Sequence, residues 1–200
     1  MKKVSFLLLV IALGSTLTIF GSCNKQDSLS TQEIEDLQYL REEEKLARDV
    51  YLYSYDLYQE SVFDNISQSE QRHMDKLLQL LNKYGIEDPA SDERGVFNNS
   101  ELQHLYDILI TKADSSLLDA LIVGATIEDV DIFDIDEFIA RTNKKDITKT
   151  YDKLKCGSNN HMRAFTNNLT EHNYVYVPQF ISLGEYNDIL AAESGGCGNH

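Results

Sequence analysis

Residues 70–84 have the sequence EQRHMDKLLQLLNKY. The apolar residues of this stretch recur every three or four positions, and Glu70 and His73 share a face with the leucines. The spacing predicts a helix that ends near Tyr84, with Gly85 as the residue that follows it. It also places a carboxylate and an imidazole one turn apart on the buried side of that helix.

Helical periodicity organises the chain on both sides of this stretch. Apolar residues recur at intervals of three and four through four long segments, and the chain has only ten glycines and two prolines to interrupt them. We therefore expect an all-α fold. The predicted long helices run from about Thr31 to Gln59, from Ser67 or Ser69 to Tyr84, from Asp114 or Ser116 to about Arg141, and from Asn143 to about His172.

Shorter features accompany the long helices. Ser100 can cap a short extra helix from Glu101 to about Lys112, between the second and third long helices, which we expect at the periphery of the bundle. Within the third long helix, Asp134 can cap a continuation of the helix. After the last helix, residues 174–181 alternate aromatic and β-branched side chains, which predicts an extended segment.

Charge excludes one class of partner. The 200 residues include 18 Lys and Arg against 33 Asp and Glu, for a formal net charge of -15. A field of that sign repels phosphate backbones, so we expect no nucleic-acid partner. With 42% hydrophobic residues, the chain has enough apolar material for one sizeable core. One compact domain is therefore expected.

The N-terminal segment has the pattern of a targeting signal. Lys2 and Lys3 precede an uncharged apolar run over residues 4–20, and small residues at 21 and 22 precede Cys23. This pattern resembles a bacterial lipoprotein signal. The resemblance implies cleavage before Cys23, acylation of its thiol, and a location in the bacterial cell envelope with a lipid anchor in a membrane. A transmembrane helix is the alternative, although the apolar run is short for spanning a bilayer.

These patterns divide the chain into four parts. We expect a lipoprotein signal peptide over residues 1–22, a tether over 23–32, the helical bundle over 33–172, and a C-terminal extension over 173–200. An exported compartment permits a disulfide between Cys156 and Cys197. The glycine-rich surroundings of Cys197 do not show where it lies, and the pairing stays open.

Several acidic residues lie on the apolar faces of the predicted helices. Burying an unpaired carboxylate costs several kcal/mol, on the order of 2–7 for a polar group and more for a charge. A metal ion compensates such acids, and helical bundles hold metals with a Glu from one helix and a Glu-x-x-His pair from another. The candidate ligands are Glu44, Glu70, His73, Glu128 and His161.

The second half of the chain departs from this pattern at one position. Ser158 stands three residues before His161, where a Glu would complete a second pair. Asp131, one turn after Glu128, can supply the missing oxygen as an additional ligand. Alternatively, the site holds a single metal ion. The acids over 129–137 also fit an exposed acidic face or helix-capping groups.

Glu43 competes with Glu44 for the position on the first helix. A second apolar stripe, which includes Leu46, runs through Glu43. The small side chains of Ala47 and Ser54 lie on the face of Glu44 and favour it. Tyr51, two turns from Glu44 on that same face, is a candidate hydrogen-bond partner for a ligand.

Four blocks of sequence carry a resemblance to a known family. They are LREEEKLARDVY over 40–51, NISQSEQRHM over 65–74, VGATIE over 123–128 and GSNNHMRAF over 157–165. In this order, across about residues 35 to 170, they resemble the ferritin-like family catalogued as domain of unknown function 2202. The resemblance implies a ferritin-like four-helix bundle.

The wider ferritin-like superfamily implies a carboxylate-bridged centre of two iron or two manganese ions. The residues that match its ligands are Glu44 on the first helix, Glu70 and His73 on the second, Glu128 on the third and His161 on the fourth. Ser158 stands where the superfamily has a fourth-helix Glu, so a symmetric two-metal centre does not follow from the resemblance alone.

Two function classes remain from the sequence. In the first, an envelope-anchored bundle holds iron or manganese and oxidises Fe²⁺ or reduces O₂ or peroxide, as a metal-dependent oxidoreductase. In the second, the same helices form a non-catalytic binding or structural domain without metal. Its inward acids would then be satisfied by lysines, by Arg163 and by one another.

Overall fold

Six helices make up the computed structural model, which describes residues 28–192 and Cys197. They are α1 (Thr31–Tyr58), α2 (Ser61–Tyr84), α3 (Ser100–Ala113), α4 (Leu117–Arg141), α5 (Lys145–Glu171) and α6 (Leu183–Ala191). No strand occurs within the described ranges. The prediction of an all-α fold is confirmed.

The four long helices pack into a helical bundle. Helix α1 contacts α2 and α4, and α5 contacts α4 and α2. The short helix α3 packs on α1 and α4, and α6 packs on α5. The extra helix therefore lies between the second and third long helices in the chain, as predicted, and beside the four-helix core in space.

The predicted start of the second helix is wrong. Helix α2 begins at Ser61, several residues before Ser67 or Ser69, and its N-cap Glu60 makes no side-chain capping bond. Only Gln59, with φ of 56°, and Glu60 separate it from α1. Because the turn uses a left-handed Gln instead of a glycine or a capping serine, no residue at this position signals a helix boundary.

Other helix ends differ in smaller ways. Ser116 caps α4, as one of the two predictions had it, but α4 continues through Asp134 without a break. The N-cap of α3 is Asn99, whose side chain accepts from two backbone N–H groups, and not Ser100. Helix α5 begins at Lys145, two residues after the predicted restart.

The C-terminal segment is attached to the bundle by side chains of α4 and α5. Residues 174–181 have no regular secondary structure. The backbone N–H groups of Gln179 and Ile181 and the Tyr176 hydroxyl donate to the buried Asp129 carboxylate. Cys156 on α5 forms a disulfide with Cys197, which answers the pairing that the sequence left open. Helix α6 was not predicted.

The predicted signal peptide and the acylation site Cys23 lie outside the described residues, and the four-part division of the chain stays a prediction. Within the part of the chain that the structure describes, no helix combines the length and the hydrophobicity needed to cross a membrane.

A polar layer divides the interior of the bundle. One apolar cluster lies on one side of this layer and includes Tyr51, Phe63 and Phe165. A second cluster lies on the other side and includes Leu77 and Leu154. Each long helix contributes to both clusters and carries its inward polar residues between them. The helices therefore bring the predicted ligands to one level of the bundle.

Candidate metal centre

The structure brings all five predicted ligands together in the polar layer. Glu44 comes from α1, Glu70 and His73 from α2, Glu128 from α4 and His161 from α5. Each of these side chains is buried, with at most 7% of its surface exposed. Four separate helices therefore converge on one water-poor site.

Glu70 lies at the centre of the group. Its Oε2 atom is 2.8 Å from Nδ1 of His73, and its Oε1 atom is 2.8 Å from Nδ1 of His161. The one-turn spacing along α2 sets the first contact, and the packing of α5 against α2 sets the second. Each oxygen of one carboxylate thus faces a different imidazole.

The outer carboxylates complete the two ends of the site. Oε2 of Glu44 is 3.1 Å from Nδ1 of His73, and Oε2 of Glu128 is 3.4 Å from Nδ1 of His161. The Tyr51 hydroxyl donates to Oε1 of Glu128 over 2.6 Å. This phenol therefore orients the Glu128 carboxylate towards His161, which is the supporting role that the sequence predicted for it.

The ligand atoms form two groups that share one residue. Glu44, Glu70 and His73 each place a ligand atom within 4.8 Å of the others, and Glu70, Glu128 and His161 do the same. Each group offers two oxygens and one nitrogen, a donor set that suits iron, manganese or zinc. The shared Glu70 makes the arrangement suited to two adjacent ions.

Several buried atoms of the site have no hydrogen-bond partner among the described residues. They are Oε1 of Glu44, Oε1 of Glu70, Oδ1 of Asp131 and Nδ1 of His161. The last nitrogen lies close to Glu70, but the two groups are not aligned as a hydrogen bond. Buried polar atoms are nearly always satisfied in folded proteins, so these atoms fit ligands of a cation.

Burial and mutual charge shift the ionisation of the site. Burial raises the pKa of Glu44 to about 7. Burial alone would lower the pKa of His73, but the Glu44 and Glu70 carboxylates raise it to about 10. Burial opposes ionisation of Glu70 as well, yet His161 and His73 hold the pKa of Glu70 well below its usual range. The carboxylates of the site therefore stabilise a positive charge beside them, either on the imidazoles or on a cation.

Asp131, the predicted additional ligand, lies in the same layer but in neither group of ligand atoms. One of its oxygens accepts a hydrogen bond from the Ser158 hydroxyl. Burial raises the pKa of Asp131 well above its usual range, and the nearby Glu44 and Glu128 carboxylates raise it further. The serine that replaces the expected fourth-helix carboxylate therefore holds an aspartate from α4 beside the site.

Glu43, the rival of Glu44, points to a different neighbour. It is fully buried and forms a hydrogen bond with Asp134 on α4, which requires a shared proton. Burial raises the pKa of Glu43 well above its usual range, and Asp131 and Asp134 add to this effect. The structure thus places Glu44, and not Glu43, beside His73.

The cavity that reaches the two histidines was not predicted from the sequence. A cavity of about 400 Å³ between α2 and α5 is bounded by His73 and His161, and its walls include Arg72, Lys76 and Lys153. The cations come from two helices far apart in the chain, and an isolated lysine on a helix resembles an ordinary solvated residue. Their convergence became visible only in the fold.

Comparison with known proteins places the chain among uncharacterized relatives. The family described as an uncharacterized protein domain (DUF2202) matches residues 33–193. The uncharacterized protein MJ0754 of Methanocaldococcus jannaschii is 48% identical over 167 residues, which cover 83% of this chain and 90% of that protein. The crystal structure of the hypothetical protein MJ0754 superimposes with a TM-score of 0.83 over 84% of this chain and 96% of that chain.

Gly157 allows α5 to approach the site closely. A Cβ atom at this position would lie 2.5 Å from Cε1 and Nε2 of His73, so Gly157→Ala must displace that ring. We expect overpacking to lower the free energy of unfolding by about 1–3 kcal/mol, measured by chemical denaturation. Gly184→Ala is the control, because a Cβ there meets nothing closer than 3.7 Å. Equal stability of the two variants would contradict the close packing.

Proposed function

This chain belongs to the DUF2202 family, and we propose that it is a ferritin-like protein that holds two iron or manganese ions in its carboxylate and histidine layer. The observation that carries the proposal is the position of Glu70, whose two oxygens face the Nδ1 atoms of His73 and His161. A carboxylate in this position is suited to bridge two ions, each completed by one imidazole and one outer carboxylate.

The donor set is compatible with iron and manganese, and the helical-bundle ligand pattern is what favours them over zinc. The two groups offer carboxylate oxygens and imidazole nitrogens and contain no thiolate. Helical bundles that hold two ions between facing helices use Glu and Glu-x-x-His ligands, and Glu70 with His73 is one such pair. On α5, Ser158 stands where a Glu would form the second pair with His161. The Asp131 carboxylate from α4 accepts a hydrogen bond from the Ser158 hydroxyl and so lies beside this position.

Bound iron or manganese would supply electron exchange with O₂ or peroxide, so the activity we propose is oxidation of Fe²⁺ or reduction of O₂ or peroxide. The chain's own residues prepare the site for this chemistry. Tyr51 donates to Glu128 and fixes its orientation. The rings of Phe63 and Phe165 pack together beside Tyr51 and make that side of the layer apolar.

A metal-free binding or structural domain is the alternative function. It requires the buried acids to be satisfied within the protein, and the Glu43 contact with Asp134 does this in part, since Oε2 of Glu43 has no hydrogen-bond partner among the described residues. Arg163, which this alternative assigned to the acids, instead donates to the Ile189 carbonyl and to Asn160. The unpartnered atoms of Glu44 and Glu70 favour the metal centre.

Reconstitution tests the metal centre. Purified protein is loaded anaerobically with Fe²⁺ or Mn²⁺, and bound metal and the Tm are measured. We expect two ions per chain and a higher Tm, because an ion at 100 times its dissociation constant adds about 2.7 kcal/mol to stability. His73→Ala and His161→Ala should each weaken loading at least about tenfold, since each removes a ligand.

His104→Ala is the matched control, because His104 is exposed on α3 and belongs to neither group of ligand atoms. It should load like the parent. Far-UV circular dichroism verifies that each variant keeps its helices. Absence of stoichiometric metal and of a Tm shift in the parent protein would leave the metal-free domain as the better account.

We propose that the protein is attached to the bacterial cell envelope by a lipid on Cys23. The proposal is supported by the basic start, the apolar run over residues 4–20 and the small residues before the cysteine. The acidic, helical domain would then stand off the membrane on a polar tether. This location concerns residues outside the described part of the chain.

Replacing Cys23 tests the anchor. Cys23→Ala removes the thiol that would carry the lipid, so the variant should move from the detergent phase to the aqueous phase on Triton X-114 partitioning. Cys156→Ser is the control, because it removes a different cysteine and leaves the signal intact. A Cys23→Ala protein that stays with the detergent phase as the parent does is inconsistent with lipidation at this residue.

A further inference from the structure

The cavity between α2 and α5 is unusual for so acidic a chain. It reaches the two histidines of the metal centre, and Arg72, Lys76 and Lys153 are in its walls. The described residues that line it include no carboxylate. Yet the whole chain has 33 acidic residues against 18 Lys and Arg. A cavity lined at random would contain more acids than bases.

The same positive surface continues along the groove between α2 and α5. A neighbouring cavity of about 350 Å³ shares Lys76 and Lys153 and adds Lys83 and Lys149. The carboxylate in its walls, Asp146, already accepts from the Lys83 ammonium group over 2.7 Å and from the Tyr84 hydroxyl. Arg72 and Lys149, by contrast, form no ion pair with a carboxylate of the described residues.

Placing these cations together has a cost. Arg72 and Lys76 are one turn apart on α2, and Lys149 and Lys153 are one turn apart on α5, so like charges face each other along both helices. Lys76 is partly buried, and no ion pair to it is found among the described residues. Burial lowers the pKa of Lys76, and Lys153 and Arg72 lower it as well, whereas the Glu44 and Glu70 carboxylates of the metal centre act in the opposite direction.

We propose that this groove binds a small oxyanion of the phosphate type beside the histidines of the metal centre. The guanidinium of Arg72 and the ammonium group of Lys76 supply charge-assisted donors, and Lys153 adds positive charge to the same walls. Ser69 and the amide of Asn65 also line the cavity and add neutral donors. A neutral molecule such as O₂ gains nothing from several cations, whereas a multiply charged anion compensates their repulsion.

The anion-binding groove and the metal centre are two proposals that can be tested separately. The position of the anion next to metal ligands rests on the proposed function, because it makes the anion a ligand or substrate that approaches the centre from the histidine side. Binding of the anion itself depends on the cations of α2 and α5 and needs no metal. The two proposals can therefore fail independently.

Binding of inorganic phosphate to the metal-free protein tests the groove. Isothermal titration at constant ionic strength, with chloride as the competing anion, should show one saturable phosphate site per chain. Lys76→Met removes the charge and keeps the apolar stem, and it should weaken phosphate binding about tenfold or more, as expected for loss of a charged hydrogen bond. Lys112→Met is the control, because Lys112 is exposed on α3, and it should bind like the parent.

A second titration, with glycerol 3-phosphate, distinguishes the source of the phosphate group. Tighter binding of the monoester identifies an organic phosphate, and equal binding identifies free phosphate; both support the proposal. No saturable binding, or equal weakening by Lys76→Met and Lys112→Met, would overturn it. Phosphate binding without metal loading leaves the groove in place and removes the metal function.

Discussion

The burial of four carboxylates around two imidazoles is the constraint on which the rest of the structure depends. Glu44, Glu70, Glu128 and Asp131 lie with His73 and His161 in a single layer between two apolar clusters. Charged groups in such a layer cost free energy unless they are paired, and burial raises the pKa of Glu44, Glu128 and Asp131. Two metal ions bridged by Glu70 would stabilise the ionised acids and tie all four long helices together.

The site meets an apolar cluster on one side of the layer and a groove at the edge formed by α2 and α5. Within that cluster, the hydroxyl of Tyr51 donates to Glu128 and its ring packs against Phe165 of α5. Gly124 makes room for that ring, because a Cβ there would lie 2.4 Å from Cε1 of Phe165. Towards α2 and α5, the histidines meet an open, basic groove. A closed aromatic side and an accessible cationic side suit a site where small anionic molecules approach from one direction.

Periodicity predicted most of this arrangement because it determines which side chains face inward on a helix. It placed the five candidate ligands on inward faces, and the small side chains of Ala47 and Ser54 favoured Glu44 over Glu43. It failed where structure depends on contacts between distant segments. Helix α2 starts at Ser61 after a turn without a capping side chain, and Asp129 holds the C-terminal segment through backbone groups. The groove likewise needs α2 and α5 side by side.

Diffraction from crystals of the reconstituted protein, recorded at the absorption edge of the loaded metal, tests the central claim most directly. The account predicts two anomalous peaks on either side of the Glu70 carboxylate, about 3.5–4 Å apart as in other two-metal sites. One peak should lie beside Nδ1 of His73 and the other beside Nδ1 of His161. An absence of peaks in the layer, or a single ion that does not touch Glu70, would contradict a bridged two-metal centre.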